Sequence, residues 1–241
     1  RKVNINDFDF LKVDKINKQI ILESGNWIIN EILVLPKDYK FIVKPDTQIS
    51  TVKNGLIIAR GPISLLGTKD YPIKLKGFEK GKGILVINAN QESFLKHVSF
   101  ENLFPVNDSS INITGAVTFY NSPVSISDCI FNNFVSEDAL NLFRSQFSIE
   151  RVRFNNTKSD ALDIDFSDGT INNVIFDNIG NDAIDISGGT KALKGKLSFI
   201  RFNNDGSIDK RRFKFNKKSK RGSYSNPILR DGDLIVVDES F

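Results

Sequence analysis

The chain of 241 residues contains one cysteine, one histidine, one tryptophan and no methionine. A single cysteine excludes an internal disulfide, and a single histidine excludes the multi-histidine sites of zinc enzymes. Long apolar runs are missing too. Stretches such as Ile32-Leu33-Val34-Leu35 are strand-sized, far below the ~18 residues needed to span a bilayer. No signal-peptide pattern stands at Arg1, and the absent initiator methionine leads us to expect a processed or trimmed start. What is present is ordinary globular material, 40% apolar and 26% charged, which argues against disorder and collagen-like structure.

The net charge of +4 hides a division. Residues 1–190 carry 20 basic and 23 acidic side chains, whereas residues 191–241 carry 13 and 6. Eight of the twelve residues in 210–221 are Lys or Arg. So sharp a change near Gly188-Gly189 marks a candidate boundary. The sequence divides into an N-terminal cover over 1–30, a repeat region over 31–189 and a basic segment over 190–241.

Three segments of the middle region align: Glu137-Asp138-Ala139-Leu140-Asn141, Ser159-Asp160-Ala161-Leu162-Asp163 and Asn181-Asp182-Ala183-Ile184-Asp185. Asp138, Asp160 and Asp182 are 22 residues apart each time. Cys129-Ile130-Phe131, Val152-Arg153-Phe154 and Val174-Ile175-Phe176 run in phase with them. Between the landmarks lie Asn, Asp, Gly and Ser clusters, which are turn residues. Within each unit the apolar period is two, as in Leu162, Ile164 and Phe166.

Short β-rich runs recurring every ~22 residues without helical periodicity predict an all-β solenoid, a right-handed parallel β-helix of six or seven coils. Coils one strand spacing apart, ~4.8 Å, stack equivalent side chains in columns. Phe131, Phe154 and Phe176 are then one interior column and Cys129, Val152 and Val174 another, which makes the lone cysteine a core residue. Upstream the period loosens around a loop near Pro105-Val106-Asn107-Asp108. Phe8, Phe10 and Trp27 are expected to cover the N-terminal end.

Leu35-Pro36-Lys37-Asp38-Tyr39-Lys40, the run Gly61-Pro62-Ile63-Ser64-Leu65-Leu66-Gly67, and Gly180-Asn181-Asp182-Ala183-Ile184-Asp185 resemble coils of pectin-lyase-like β-helix proteins. Over residues ~25–188 the chain is most similar to those found beside CotH-like kinase domains. The tail resembles the SLBB (β-grasp) module of bacterial polysaccharide-export outer-membrane proteins. That likeness rests on Phe199-Ile200-Arg201-Phe202, Ser225-Asn226-Pro227-Ile228-Leu229 and Gly232-Asp233-Leu234-Ile235-Val236-Val237. Both resemblances imply an extracytoplasmic bacterial protein, periplasmic, outer-membrane associated or extracellular, that works on polysaccharide.

The parity that buries Leu162 and Ile164 turns Ala161, Asp163 and Asp165 outward. Asn141 and Phe143 match Asp163 and Asp165 in the preceding coil, and Asp185 and Ser187 match them in the next. Stacked carboxylates repel unless they are protonated, hydrogen-bonded or share a cation, so an exposed acidic ladder needs an explanation. The plainest is that Asp and Asn at coil corners satisfy backbone N–H groups. A second is a Ca²⁺ site from Asp160, Asp163, Asp182 and Asp185 that holds an acidic sugar. A third is catalysis by Asp163, Asp165 and Asp185 as the acid/base and nucleophile groups of a glycoside hydrolase or polysaccharide lyase, their ~5 Å spacing suiting a retaining enzyme.

Asn141, Phe143, Arg151 and Arg153 are the candidate substrate contacts, although Arg151 and Arg153 belong to a different face from Asp163. Tyr120 and Phe143 stand at strand ends, where an aromatic either packs or meets a sugar. His97, far from the Asp ladders, is expected in a surface turn. In the tail, the alternation Arg212-Phe213-Lys214-Phe215 suggests a strand with one solvated basic face. An anionic polysaccharide is its expected partner if it has one, and nucleic acid is not expected.

The leading expectation is a non-catalytic β-helix that binds or organises acidic polysaccharide, linked to export machinery through its tail. No cofactor is expected beyond Ca²⁺, and no transmembrane segment. The alternatives are a polysaccharide lyase or hydrolase acting through the Asp columns, and a structural solenoid serving protein partners.

Overall fold

The computed structural model of the chain describes residues 1–107, 113–187, 196–202, 207–214 and 234–237. The repeat folds as a parallel β-solenoid. Three strands per coil feed three parallel sheets, and two of those sheets hold seven strands each. Sheet 1 contains, among others, Lys40–Val43, Ser93–Lys96, Val124–Ser127, Gln146–Glu150 and Asp168–Asn172. Sheet 2 runs from Gly25–Ile29 through Val98–Glu101, Ile130–Phe134 and Arg153–Thr157 to Ile175–Ile179. Sheet 3 comprises Ile32–Val34, Leu56–Ala59, Ile84–Ile87, Gly115–Tyr120, Asp138–Phe143, Asp160–Asp165 and Ile184–Ser187.

The register follows the 22-residue period. Phe100 pairs with Phe131, Phe131 with Phe154 and Phe154 with Phe176. Their rings stack at centroid distances of 4.8, 4.7 and 5.2 Å, each contact contributing ~0.5–1.5 kcal/mol beyond simple burial. Cys129 lies buried in the same core, and burial pushes its thiol up to about 12. It is a small hydrophobe there, not a nucleophile.

From Asn88 to Asn178 each bend between sheets carries a residue with a left-handed backbone. Between sheets 1 and 2 the corners are His97, Asp128, Arg151 and Asn173, with φ from 48 to 54°. Between sheets 2 and 3 they are Asn102, Asn133, Asn156 and Asn178, with φ from 53 to 59°. Between sheets 3 and 1 they are Asn88, Asn121, Arg144 and Phe166, with φ from 47 to 54°. Asn and Asp predominate because their short polar side chains tolerate this region best. His97 is thus a turn residue, as its position predicts.

The ends are covered differently. Leu11–Asp14 pairs antiparallel with Gln19–Leu22, which itself pairs parallel with Lys40–Val43. Parallel stacking therefore starts at Gln19. Phe8 is buried there, and Phe10 stacks on Trp27 at 5.1 Å. At the other end Leu234–Val237 pairs antiparallel with the sheet 1 strand Asp168–Asn172 and with Lys196–Phe202, which pairs with Ile208–Lys214. These antiparallel strands occupy an edge that parallel stacking would otherwise leave open. Gly188-Gly189-Thr190, Phe215, Asn203-Asn204-Asp205-Gly206, and the 221–229 run with Gly232 and Asp233 lie outside the described residues. Among the described residues no helix is long and apolar enough to cross a membrane.

Candidate functional site on sheet 3

The outer face of sheet 3 is organised in columns, one residue per coil. The central column reads Val34, Ile58, Leu85, Thr118, Asn141, Asp163 and Asp185. Beside it runs Ile87, Tyr120, Phe143, Asp165 and Ser187. Chemistry changes along both. Val34, Leu56, Ile58 and Leu85 form a second apolar cluster outside the main core, closed by Val106 and Ile113. From Thr118 onward the same columns are polar, aromatic and acidic.

Asn141, Asp163, Asp165 and Asp185 thus share one face in the register expected, together with Phe143. The exposure expected of that face needs correction. Ala161, expected outward, packs with Ala139 in the main hydrophobic core, Asn141 is buried, and Asp163 is only partly accessible. Alternation along a strand fixes which side a residue faces, but not what closes over that side.

Burial sets the electrostatics. The Asp163 carboxyl is pushed up to about 8, first by loss of water and then by the charges of Asp165, Asp138 and Asp185. The Asn141 amide donates to Asp163 Oδ2 at 2.8 Å and offsets part of this. Asp138 is raised to about 6, again mainly by burial, although Thr114 Oγ1 donates to it at 2.6 Å. Asp165 accepts from the Ser187 hydroxyl. Asp163 therefore holds a proton at neutral pH, the state a donor acid requires.

At the entry to the sheet 3 strands, buried Asp160 accepts the Asn181 amide at 2.7 Å and the Asp182 N–H at 2.8 Å through Oδ1. This is the corner-capping role that Asp chemistry favours. Its carboxylate nevertheless lies with those of Asp182 and Asp185, one oxygen of each within 4.8 Å of the others. Three hard oxygen donors so close suit a cation such as Ca²⁺, which would draw its further ligands from carbonyls and water. Asp163 does not belong to this trio.

The remaining candidates sit elsewhere. Arg151 occupies a corner between sheets 1 and 2, where it pairs with Asp128 at 2.7 Å and with Glu150. Arg153 is exposed on sheet 2, between Ile130 and Ile175. Neither reaches the acidic face. Phe143 does lie on it, but one ring face packs on Tyr120 at 4.8 Å with planes 8° apart, and Phe166 tilts against it at 5.4 Å.

The sequence reading missed the corner beside this face. Arg144 and Phe166 stand there, and the Arg144 guanidinium lies 5.2 Å from the Phe143 centroid and 5.6 Å from that of Phe166. A buried serine ladder fixes the corner from behind. Ala89 N–H donates to Ser122 Oγ, Ser122 N–H to Ser145 Oγ, and Ser145 N–H to Ser167 Oγ, at 2.9–3.0 Å. The Ser145 and Ser167 hydroxyls in turn reach strand carbonyls of Phe143 and Asp165 at 3.0 and 2.9 Å. The signal was available in phase: Asn88 and Asn121 precede Arg144 and Phe166 in one column.

Comparison of the chain with known proteins gives no match to a family model, a curated protein or a solved structure. The parallel β-solenoid is shown by its strand pairing. The pectin-lyase-like, CotH-associated and SLBB resemblances rest on the quoted motifs alone.

Proposed function

We propose that the protein is an extracytoplasmic bacterial binding module for polysaccharide, with its site on the outer face of sheet 3 between Thr118 and Ser187. One observation carries the reading. Asp163, Asp165 and Asp185 share one face with the Asp160, Asp182 and Asp185 carboxylates gathered beside it, and burial together with the charges of Asp165, Asp138 and Asp185 disfavours an ionised Asp163 there. Groups that weaken the native state and persist are characteristic of functional surfaces. Carboxylates and amides that accept and donate hydrogen bonds suit a polyhydroxylated chain, and a cation at Asp160, Asp182 and Asp185 would add affinity for an acidic one. The two resemblances support a role beside polysaccharide export, with the basic tail as the link to that machinery.

Affinity electrophoresis through gels holding neutral or acidic polysaccharides, with Ca²⁺ or with chelator, tests this. Retardation by at least one polymer that disappears in an Asp163→Asn/Asp185→Asn variant is the expected result. Unchanged mobility in every gel would remove polysaccharide as the ligand and leave a solenoid serving protein partners.

A second reading is favoured by the protonated state of Asp163. A neutral carboxyl beside Asp165 is the pairing used by acid-catalysed glycoside cleavage. Release of reducing or unsaturated ends by the wild type, lost in Asp163→Asn, would make the protein an enzyme.

A further inference from the structure

Two arginines of one coil share a backbone conformation and differ in everything else. Arg151 and Arg144 both occupy left-handed corners, at φ 51 and 49°. Arg151 repays that conformation with ion pairs to Asp128 and Glu150. Arg144 is exposed and, among the described residues, pairs with no carboxylate. Its neighbour in the column, Phe166, is the only Phe, Tyr or Trp among the described positive-φ residues, at φ 50°, and 49% of it is exposed. A left-handed conformation costs an L-residue roughly 1–2 kcal/mol, least for Asn or Asp. The two preceding corners of this column use Asn88 and Asn121. The fold therefore needs neither a guanidinium nor a phenyl ring here.

The surroundings sharpen the point. Arg144 is the only Lys or Arg between Lys96 and Arg151. Its guanidinium rests on the Phe143 and Phe166 rings, which orient it without neutralising it. The serine ladder holds the backbone beneath, so the cation and the exposed ring are presented from a fixed platform. A planar cation with free donors binds a carboxylate or sulfate through paired hydrogen bonds. An exposed aromatic face such as that of Phe166 suits the apolar C–H face of a sugar ring.

We propose that Arg144 and Phe166 form an anionic-sugar subsite, in which the guanidinium takes the carboxylate or sulfate of one residue and Phe166 stacks on the ring. The inference rests on the polysaccharide-binding reading and names its ligand class and the residues that select it. The subsite needs no metal. Arg144 supplies the positive charge that the neighbouring carboxylates lack.

The test uses affinity electrophoresis of the full chain in chelator, through gels containing polygalacturonate, dextran sulfate or unmodified dextran. Wild type should be retarded by at least one of the two anionic polymers and by dextran much less; which one retards it identifies carboxylate or sulfate as the group bound. Arg144→Gln should lose about tenfold or more in affinity for that polymer with unchanged melting temperature, and Arg144→Lys should retain part of it. Phe166→Asn restores the side chain this corner uses elsewhere, so it should weaken binding while the melting temperature rises.

Equal affinity of Arg144→Gln and wild type for the anionic polymer would overturn the proposal. So would a lowered melting temperature in Phe166→Asn, because the ring would then be present for packing. Retardation by dextran as strong as by the anionic polymers would overturn this subsite while sparing the broader reading. No retardation of wild type by any of the three, in chelator or in Ca²⁺, would remove both.

Discussion

The outer face of sheet 3 carries two surfaces on one scaffold. In the first three coils its central column is Val34, Ile58 and Leu85, sealed under Val106. In the last three it is Asn141, Asp163 and Asp185, flanked by Phe143, Asp165 and the Arg144–Phe166 corner. The strands, their pairing and the interior behind them are alike in both halves. The difference teaches that a β-solenoid separates its two tasks by parity: inward residues hold the coils, and outward residues are free to vary. The apolar half became a second small core, whereas the acidic half retains groups that oppose folding.

The largest expected effect lies behind both surfaces. Phe154→Ala removes the central ring of the stacked interior column, and urea denaturation should show a loss of ~3–5 kcal/mol. Phe143→Ala, on the outer face, should cost less than half of that. A similar loss at both positions would break the parity argument.

Sealing of the apolar half is tested next. Val106→Ala should destabilise the protein by roughly 1–2 kcal/mol, and should open the chain around Val106 to limited proteolysis while strand content stays unchanged. Asp160→Ala leaves the Asn181 amide and the Asp182 N–H without their acceptor, and a loss of ~1–2 kcal/mol is expected from the same denaturation measurement.

The acidic half responds to pH. Asp163 and Asp138 titrate above the ordinary carboxylate range, near 8 and 6. Between pH 4 and 8 the native state thus holds protons that the unfolded chain has released. Their contribution to stability is fully present below about 4 and is lost as pH rises through 6 and then 8. Asp163→Asn keeps the acceptor for Asn141 and removes the titration. Its melting temperature should match that of wild type near pH 4 and exceed it by a few degrees at pH 8. A gap that shrinks as pH rises would show that Asp163 is ionised and well paired.

The smallest effect is an expected inertness. Cys129, buried and raised to about 12, should resist alkylation in the native protein and react fully in urea.

Coils of 22 and 23 residues between Gly115 and Ser187 put the register within reach of the sequence, because equal spacing leaves one way to align Asp138, Asp160 and Asp182. Parity then fixed Phe131, Phe154 and Cys129 inside and Asp163, Asp165 and Asp185 outside, through the two-residue period of a strand. Parity passed over Arg144 and misplaced Phe166, which keeps step with Leu162 and Ile164 in the sequence yet stands exposed, because a corner residue follows neither parity. Their meaning comes from left-handed dihedrals that only coordinates reveal.

Burial of the outer face was likewise a tertiary matter. It depends on contacts between coils, such as Thr114 on Asp138 and Asn141 on Asp163, and over the apolar half on Val106. Periodicity is a local property and was legible in the sequence, whereas desolvation, and with it the protonation of Asp163, belongs to the packed molecule.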